Sequence, residues 1–164
     1  MVQLERNAAY WLVTAGAAGW VGLTLLAPLG RHEGWLAAPF IYLFFDLICH
    51  QLPERSFHLF TEPLAVCHRC FGLYFGMLLG LLLLPVLGGI RRWLRARPWV
   101  VALFVVPMLI DVALITVNTP SSRFITGVVA SFPVALLVWL GVTELARTSR
   151  SMSGESGAQP CKTS

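Results

Sequence analysis

An all-α bundle embedded in a membrane is the fold class this sequence predicts. Three observations point there. Hydrophobic residues make up 57% of the 164 and charged ones only 12%, and the mean hydropathy is +0.72. The apolar residues also come in runs near the roughly 20 that a helix needs to cross a bilayer. This composition excludes a soluble domain of the same size and is too aliphatic for a secreted disulfide scaffold. The formal charge of +4 does not mark a nucleic-acid surface, because the arginines sit at the ends of apolar runs and form no basic face with interleaved aromatics. It carries topology information instead.

The first run, Ala8 to Leu29, contains no charge and is long enough to span. A cleaved signal peptide would have a shorter apolar core, so a retained helix is expected, with Tyr10, Trp11 and Trp20 as interfacial anchors and packing groups. The run from Trp35 to Cys49 has only 15 residues and includes Pro39 and Asp46. At about 1.5 Å per residue it falls short of a ~30 Å hydrocarbon core, which predicts a re-entrant or interfacial half-helix. The third run, Phe71 to Ile90, spans, and Gly72, Gly76 and Gly80 form a stripe along which a neighbouring helix can approach. "RRWLRARP" follows, placing Arg91, Arg92, Arg95 and Arg97 in a short loop, which marks the cytoplasmic side.

The fourth run goes outward from Trp99 to about Val117, "NTPSSR" makes a short external turn, and the fifth returns from Phe124 to about Leu145. Arg147, Arg150 and Lys162 again mark the inside. The expected architecture is therefore four spans plus the half-helix, with the N-terminus inside. If residues 35–49 cross instead, there are five spans and the N-terminus is outside. Under either arrangement residues 49–70 are extracytoplasmic, and the chain is a multi-pass protein of the cell (inner) membrane whose one evident partner is the lipid bilayer. Residues 1–147 form a single transmembrane domain, and 148–164, rich in Ser and Gly, a disordered cytoplasmic tail. Cys161 is incidental there, because Lys162 occupies a position that prenylation requires to be aliphatic.

The external stretch "CHQLPERSFHLFTEPLAVCHRC" holds three of the four cysteines and three of the four histidines. Cys67 and Cys70 are separated by two residues, a spacing that lets both sulfurs face one small ion or close into a redox disulfide. Cys49 and His50 upstream complete C-H-x₁₆-C-x-x-C, a Cys₃His set with a loop length suited to tetrahedral zinc. Neighbouring side chains on a helix diverge by about 100°, so Cys49 and His50 can share an ion only if the helix ends there. Pro53 favours such an ending by disfavouring helical geometry at Leu52. His58, His68 or water are the other candidates for the fourth position.

Two further readings remain at this stage. A structural disulfide suits an oxidising outer face. Reversible dithiol chemistry is favoured by the helix N-terminus and by Arg69, which both promote a thiolate on Cys67. In that case the chain would be a membrane thiol-disulfide oxidoreductase passing electrons to a quinone. A non-catalytic binding or assembly module, with an outer pocket lined by Tyr42, Phe45, Phe57 and Tyr74, is a third class. Asp111, a carboxylate within the fourth span, is a functional candidate because an intramembrane charge is costly unless paired or wet. Arg123, Arg55 and Arg69 are its candidate partners, and Asn118 and Thr126 its candidate hydrogen-bonding neighbours.

"CHQLPERSF", "VCHRCFGLYFG", "PMLID" and "NTPSSRFITG", in that order, resemble the domain-of-unknown-function 2085 family of prokaryotic integral membrane proteins over roughly residues 40 to 130. The resemblance implies importance for Cys49, His50, Gln51, Pro53, Arg55, Ser56, Cys67, Arg69, Cys70, Gly72, Tyr74, Gly76, Asp111, Asn118, Arg123, Thr126 and Gly127. It leaves out His58 and His68, which tips the fourth ligand towards His50, and it implies no reaction. The resulting expectation is a zinc site of Cys49, His50, Cys67 and Cys70, structural or hydrolytic, surrounded by Gln51, Arg55, Ser56, Arg69, Tyr74, Asp111, Asn118, Arg123 and Thr126. Asp111 is the candidate base if the site is catalytic.

Overall fold

The computed structural model describes residues 2–86, 96–97, 99–113 and 119–155, and it is mostly helical. Helix α1 is Val2–His32, α2 is Ala38–Asp46, α3 is His68–Leu83, α4 is Trp99–Ala113 and α5 is Pro120–Glu155. Between α2 and α3 lie a 3₁₀ turn, Pro53–Arg55, and two short antiparallel strands, β1 (His58–Leu59) and β2 (Glu62–Pro63), with His58 opposite Pro63. Among the described residues two segments are long and apolar enough to cross a membrane, Ala8–His32 and Pro120–Val142, and His68–Leu83 and Ala102–Ala113 are shorter apolar helices.

Local chemistry explains where the elements stop. Helix α1 ends in a left-handed glycine, Gly34 at φ 71°. The Trp35 amide donates to the Gly30 carbonyl (2.7 Å) and the Gly34 amide to that of Arg31 (3.2 Å), the paired bonds of a Schellman ending. Helix α2 starts at a proline in its first turn and has nine residues, about 14 Å at the helical rise. It is the short helix expected between Trp35 and Cys49. Leu52 is extended, at φ −64° and ψ 119°, as its position before Pro53 requires.

Two expected boundaries move. The sequence predicts a turn over "NTPSSR", yet Pro120–Arg123 form the first turn of α5: the Ser122 amide donates to Thr119 Oγ1 (3.1 Å), and Pro at the first helical position costs no hydrogen bond. The same helix continues past Thr148 to Glu155, so no helix end marks the expected start of a tail. Arg91, Arg92, Arg95, Asn118, Cys161 and Lys162 lie outside the described residues.

Helices α3 and α5 run parallel in close contact. A Cβ at Gly76 would lie 2.6 Å from the Val128 carbonyl oxygen, one at Gly80 2.7 Å from that of Phe132, and one at Gly127 2.6 Å from that of Arg69. The glycine stripe therefore sets the distance between the two backbones. Helix α1 runs antiparallel to α3: Tyr10 donates to the Leu81 carbonyl (2.9 Å), whereas Trp20 meets Tyr74. Helix α4 is antiparallel to α5, with Val100 in the cluster of Leu84 and Trp139 and Asp111 against Ser122. The N-terminal ends of α3 and α5 thus share one end of the molecule with the C-terminal ends of α1 and α4.

Candidate metal centre

That shared end carries the three thiols. Cys49 follows α2 by a last helical bond from its amide to the Phe45 carbonyl (2.8 Å). The chain then reverses through Gln51, which is left-handed at φ 45°, while the Gln51 side-chain amide donates to the Tyr42 carbonyl (2.6 Å). Gln51 thereby ties the reversal back onto α2. Cys67 is the residue immediately before α3, and Cys70 lies in its first turn.

The three Sγ atoms all lie within 4.8 Å of one another. An equilateral triangle of that edge puts every sulfur about 2.8 Å from its centre, against a Zn–S bond of about 2.3 Å. Closing by some tenths of an ångström would place all three around one ion. Cys49 is buried, at 4% exposure, and the Cys67 amide donates to its Sγ at 3.2 Å. Among the thiols Cys67 is the preferred anion. Hydrogen bonds from the Cys49 and Cys70 thiols, with a further contribution from the backbone amides of Cys70 and Arg69, lower its pKa well below the ordinary thiol range.

His50 is exposed, and the close group of potential ligands comprises the cysteines only. The two neighbours diverge because the helical turn carries Cys49 inward and the reversal at Gln51 follows at once. The thiols pack in an apolar cluster with Phe45, Ala65, Val66, Trp20, Tyr42 and Tyr74. Trp20, from α1, places its indole edge-on 5.5 Å from Phe45 and 5.9 Å from Tyr74, and its Nε1 is buried with no partner among the described residues.

The remaining expected residues divide by location. Arg69, on the first turn of α3, turns away from the thiols to Asp111. Its Nε donates to Oδ2 at 3.1 Å, its Nη2 to Oδ2 at 2.5 Å and to the Asp111 carbonyl at 3.1 Å. Ser122 donates to Oδ1 at 2.5 Å, and Asp111 is 2% exposed. Of the three candidate arginines, Arg69 makes the pair. Ser122 was missed, because "TPSSR" reads as a turn until its place in a helical first turn is known. Thr126 donates within its own helix, to the carbonyls of Ser122 (2.9 Å) and Arg123 (3.2 Å). Ser56 is buried and donates to the Leu52 carbonyl (3.0 Å), Arg55 is exposed on the 3₁₀ turn, and the Arg123 Nε is buried without a partner among the described residues.

The model of the family described as "Predicted membrane protein (DUF2085)" matches residues 49–137. The chain belongs to this family. Its matched region opens on Cys49 and contains all three thiols, the Arg69–Asp111 pair, Ser122 and Arg123. Among curated proteins, "Uncharacterized protein MJ1492" of Methanocaldococcus jannaschii is 35% identical over 102 residues, covering 60% of this chain. The match spans 65% of that relative's length. No solved structure matches the chain.

Proposed function

We propose that this DUF2085 protein is a multi-pass protein of the inner membrane in which Cys49, Cys67 and Cys70 hold a zinc ion at the extracytoplasmic boundary. The observation that carries the reading is the meeting, within 4.8 Å, of sulfurs from two separate segments of the chain. The antiparallel course of α1 and α4 against α3 and α5 supports four spans with α2 as a half-helix. The C-terminal end of α3 and the N-terminal end of α4 lie opposite the thiols, and the sequence between them carries Arg91, Arg92, Arg95 and Arg97, which supports an extracytoplasmic site.

Three thiolates leave Zn²⁺ with a net charge of about −1, which the N-terminus of α3 favours. The fourth position falls to His50, after a rotation of its exposed side chain, or to water. The ion would tie the end of α2 to the start of α3. Such a staple is the role best supported, since the Asp111 carboxylate is engaged by Arg69 and Ser122 and does not join the thiols. A hydrolytic site would need the fourth position open to water.

One observation favours a second reading: a thiolate on Cys67 beside two thiols is also a reactive dithiol. In that reading the Cys67 thiolate and the Cys70 thiol are oxidised to a disulfide with release of two electrons and one proton, and a membrane quinone takes these together with one proton from water to become the quinol. Elemental analysis of purified protein and of Cys67→Ser tests the metal. The expected result is near-stoichiometric zinc in the first and a loss in the second. Trapping thiols in intact cells separates the two readings. A metal-bound set resists alkylation until chelated, whereas a cycling pair follows respiration.

A further inference from the structure

On the same end of the molecule, but on the other side of α3 from the thiols, two buried nitrogen atoms have no partner among the described residues: His68 Nδ1 and Arg123 Nε. His68 is 4% exposed. The seam between α3 and α5 places the two together. Gly72 packs on the Phe124 backbone and Gly127 on that of Arg69, and His68 and Arg123 stand four residues before these two glycines. Residues four apart share a helix face. His68 and Arg123 therefore occupy the contact faces of two parallel helices, one turn nearer the common N-terminal end, and the Arg123 charge acts on the His68 ring. Phe57 closes the side, its ring 4.3 Å from that of His68 and 5.7 Å from that of Phe124.

Several positive contributions converge here, next to the Cys67 thiolate, whose charge also reaches the His68 ring. Both helices direct their positive dipole ends to it. The α3 N-terminus has no side-chain cap. Asp111 is paired with Arg69, and the Arg123 Nε–H is left unmatched among the described residues. Leaving buried polar nitrogens unmatched is unfavourable, and an oxyanion can accept at once from the Arg123 Nε–H and from a His68 ring that carries its proton on Nδ1. We propose that His68 and Arg123, at the paired N-termini of α3 and α5, bind a phosphoryl group. The group belongs either to a phospholipid head at the membrane boundary or to free phosphate. The site uses none of the thiols.

The test uses full-length protein purified in a phosphate-free glycoside detergent, with the imidazole nitrogens labelled and the His68 resonances assigned by a His68→Gln spectrum. Inorganic phosphate is titrated at constant ionic strength, and in parallel a short-chain phosphatidylglycerol against a glycolipid of equal chain length. Saturable shifts at His68 with inorganic phosphate assign free phosphate. Shifts with phosphatidylglycerol and not with the glycolipid or inorganic phosphate assign the headgroup. Arg123→Gln should weaken the binding about tenfold or more, as loss of a charge-assisted bond does. Arg123→Lys should retain part of it, and zinc content should stay unchanged in both variants. No shift with either phosphoryl compound, or binding by Arg123→Gln equal to wild type, overturns the proposal.

Discussion

Asp111→Ala leaves the Arg69 guanidinium and the Ser122 hydroxyl facing a methyl group. Among the described residues three side-chain hydrogen bonds end on that carboxylate, from Arg69 Nε at 3.1 Å, Arg69 Nη2 at 2.5 Å and Ser122 Oγ at 2.5 Å. Bonds to a charged group are each worth about 1.5–3 kcal/mol net, which sets an upper range of about 4.5–9 kcal/mol. The Arg69 side chain is 21% exposed, so water recovers part of its deficit, and the expected loss is about 3–5 kcal/mol, as for other broken buried pairs. The double variant Arg69→Met, Asp111→Leu removes both charges and should recover most of that loss. Unfolding in mixed micelles, followed by far-ultraviolet circular dichroism, gives both values. A single variant within about 1 kcal/mol of wild type, or a double variant no better than the single, would refute the reasoning.

The α3–α5 seam gives a matched pair of glycine predictions. At Gly76 a new Cβ would sit 2.6 Å from the Val128 carbonyl, so Gly76→Ala must part the helices by most of an ångström and should cost about 1–3 kcal/mol. At Gly19 a Cβ meets nothing within 4 Å, so Gly19→Ala should be neutral or stabilising by up to about 1 kcal/mol in the same unfolding assay. Equal effects at the two sites would contradict the packing. For the thiols, the hydrogen bonds from Cys49 and Cys70 hold the Cys67 pKa well below the ordinary thiol range, so Cys67 stays ionised at acidic pH where an ordinary thiol is almost wholly protonated. Metal-stripped protein should therefore react with an aromatic disulfide reagent at pH 5 first at Cys67, as peptide mass spectrometry would show; uniformly slow labelling of all three would argue against it.

Much of this arrangement was legible in the chain, because it follows from length, periodicity and charge. Apolar runs became helices, the four-residue glycine spacing became the α3–α5 seam, and the C-x-x-C pair met the cysteine 18 residues before it. What escaped depends on backbone direction. The β1–β2 hairpin turns through Phe60 and Thr61, both at positive φ, where a sequence signal would be Asn or Gly. The partnership of Ser122 with Asp111 needed the register of α5, set by Thr119 as its cap. The exposure of His50 follows from the reversal at Gln51, a residue whose identity does not announce a left-handed conformation. Trp20 entered the thiol cluster from α1, which lies before the region that carries the family motifs.

The ligand set itself can be read by X-ray absorption at the metal edge on protein purified from membranes without added metal. The account predicts one zinc per chain with three sulfur neighbours at about 2.3 Å and one lighter atom, and a proportionate loss of sulfur scattering when Cys49 is replaced by serine. A metal edge with no sulfur in its nearest shell, or a protein that carries no metal while all three thiols react freely, would contradict it.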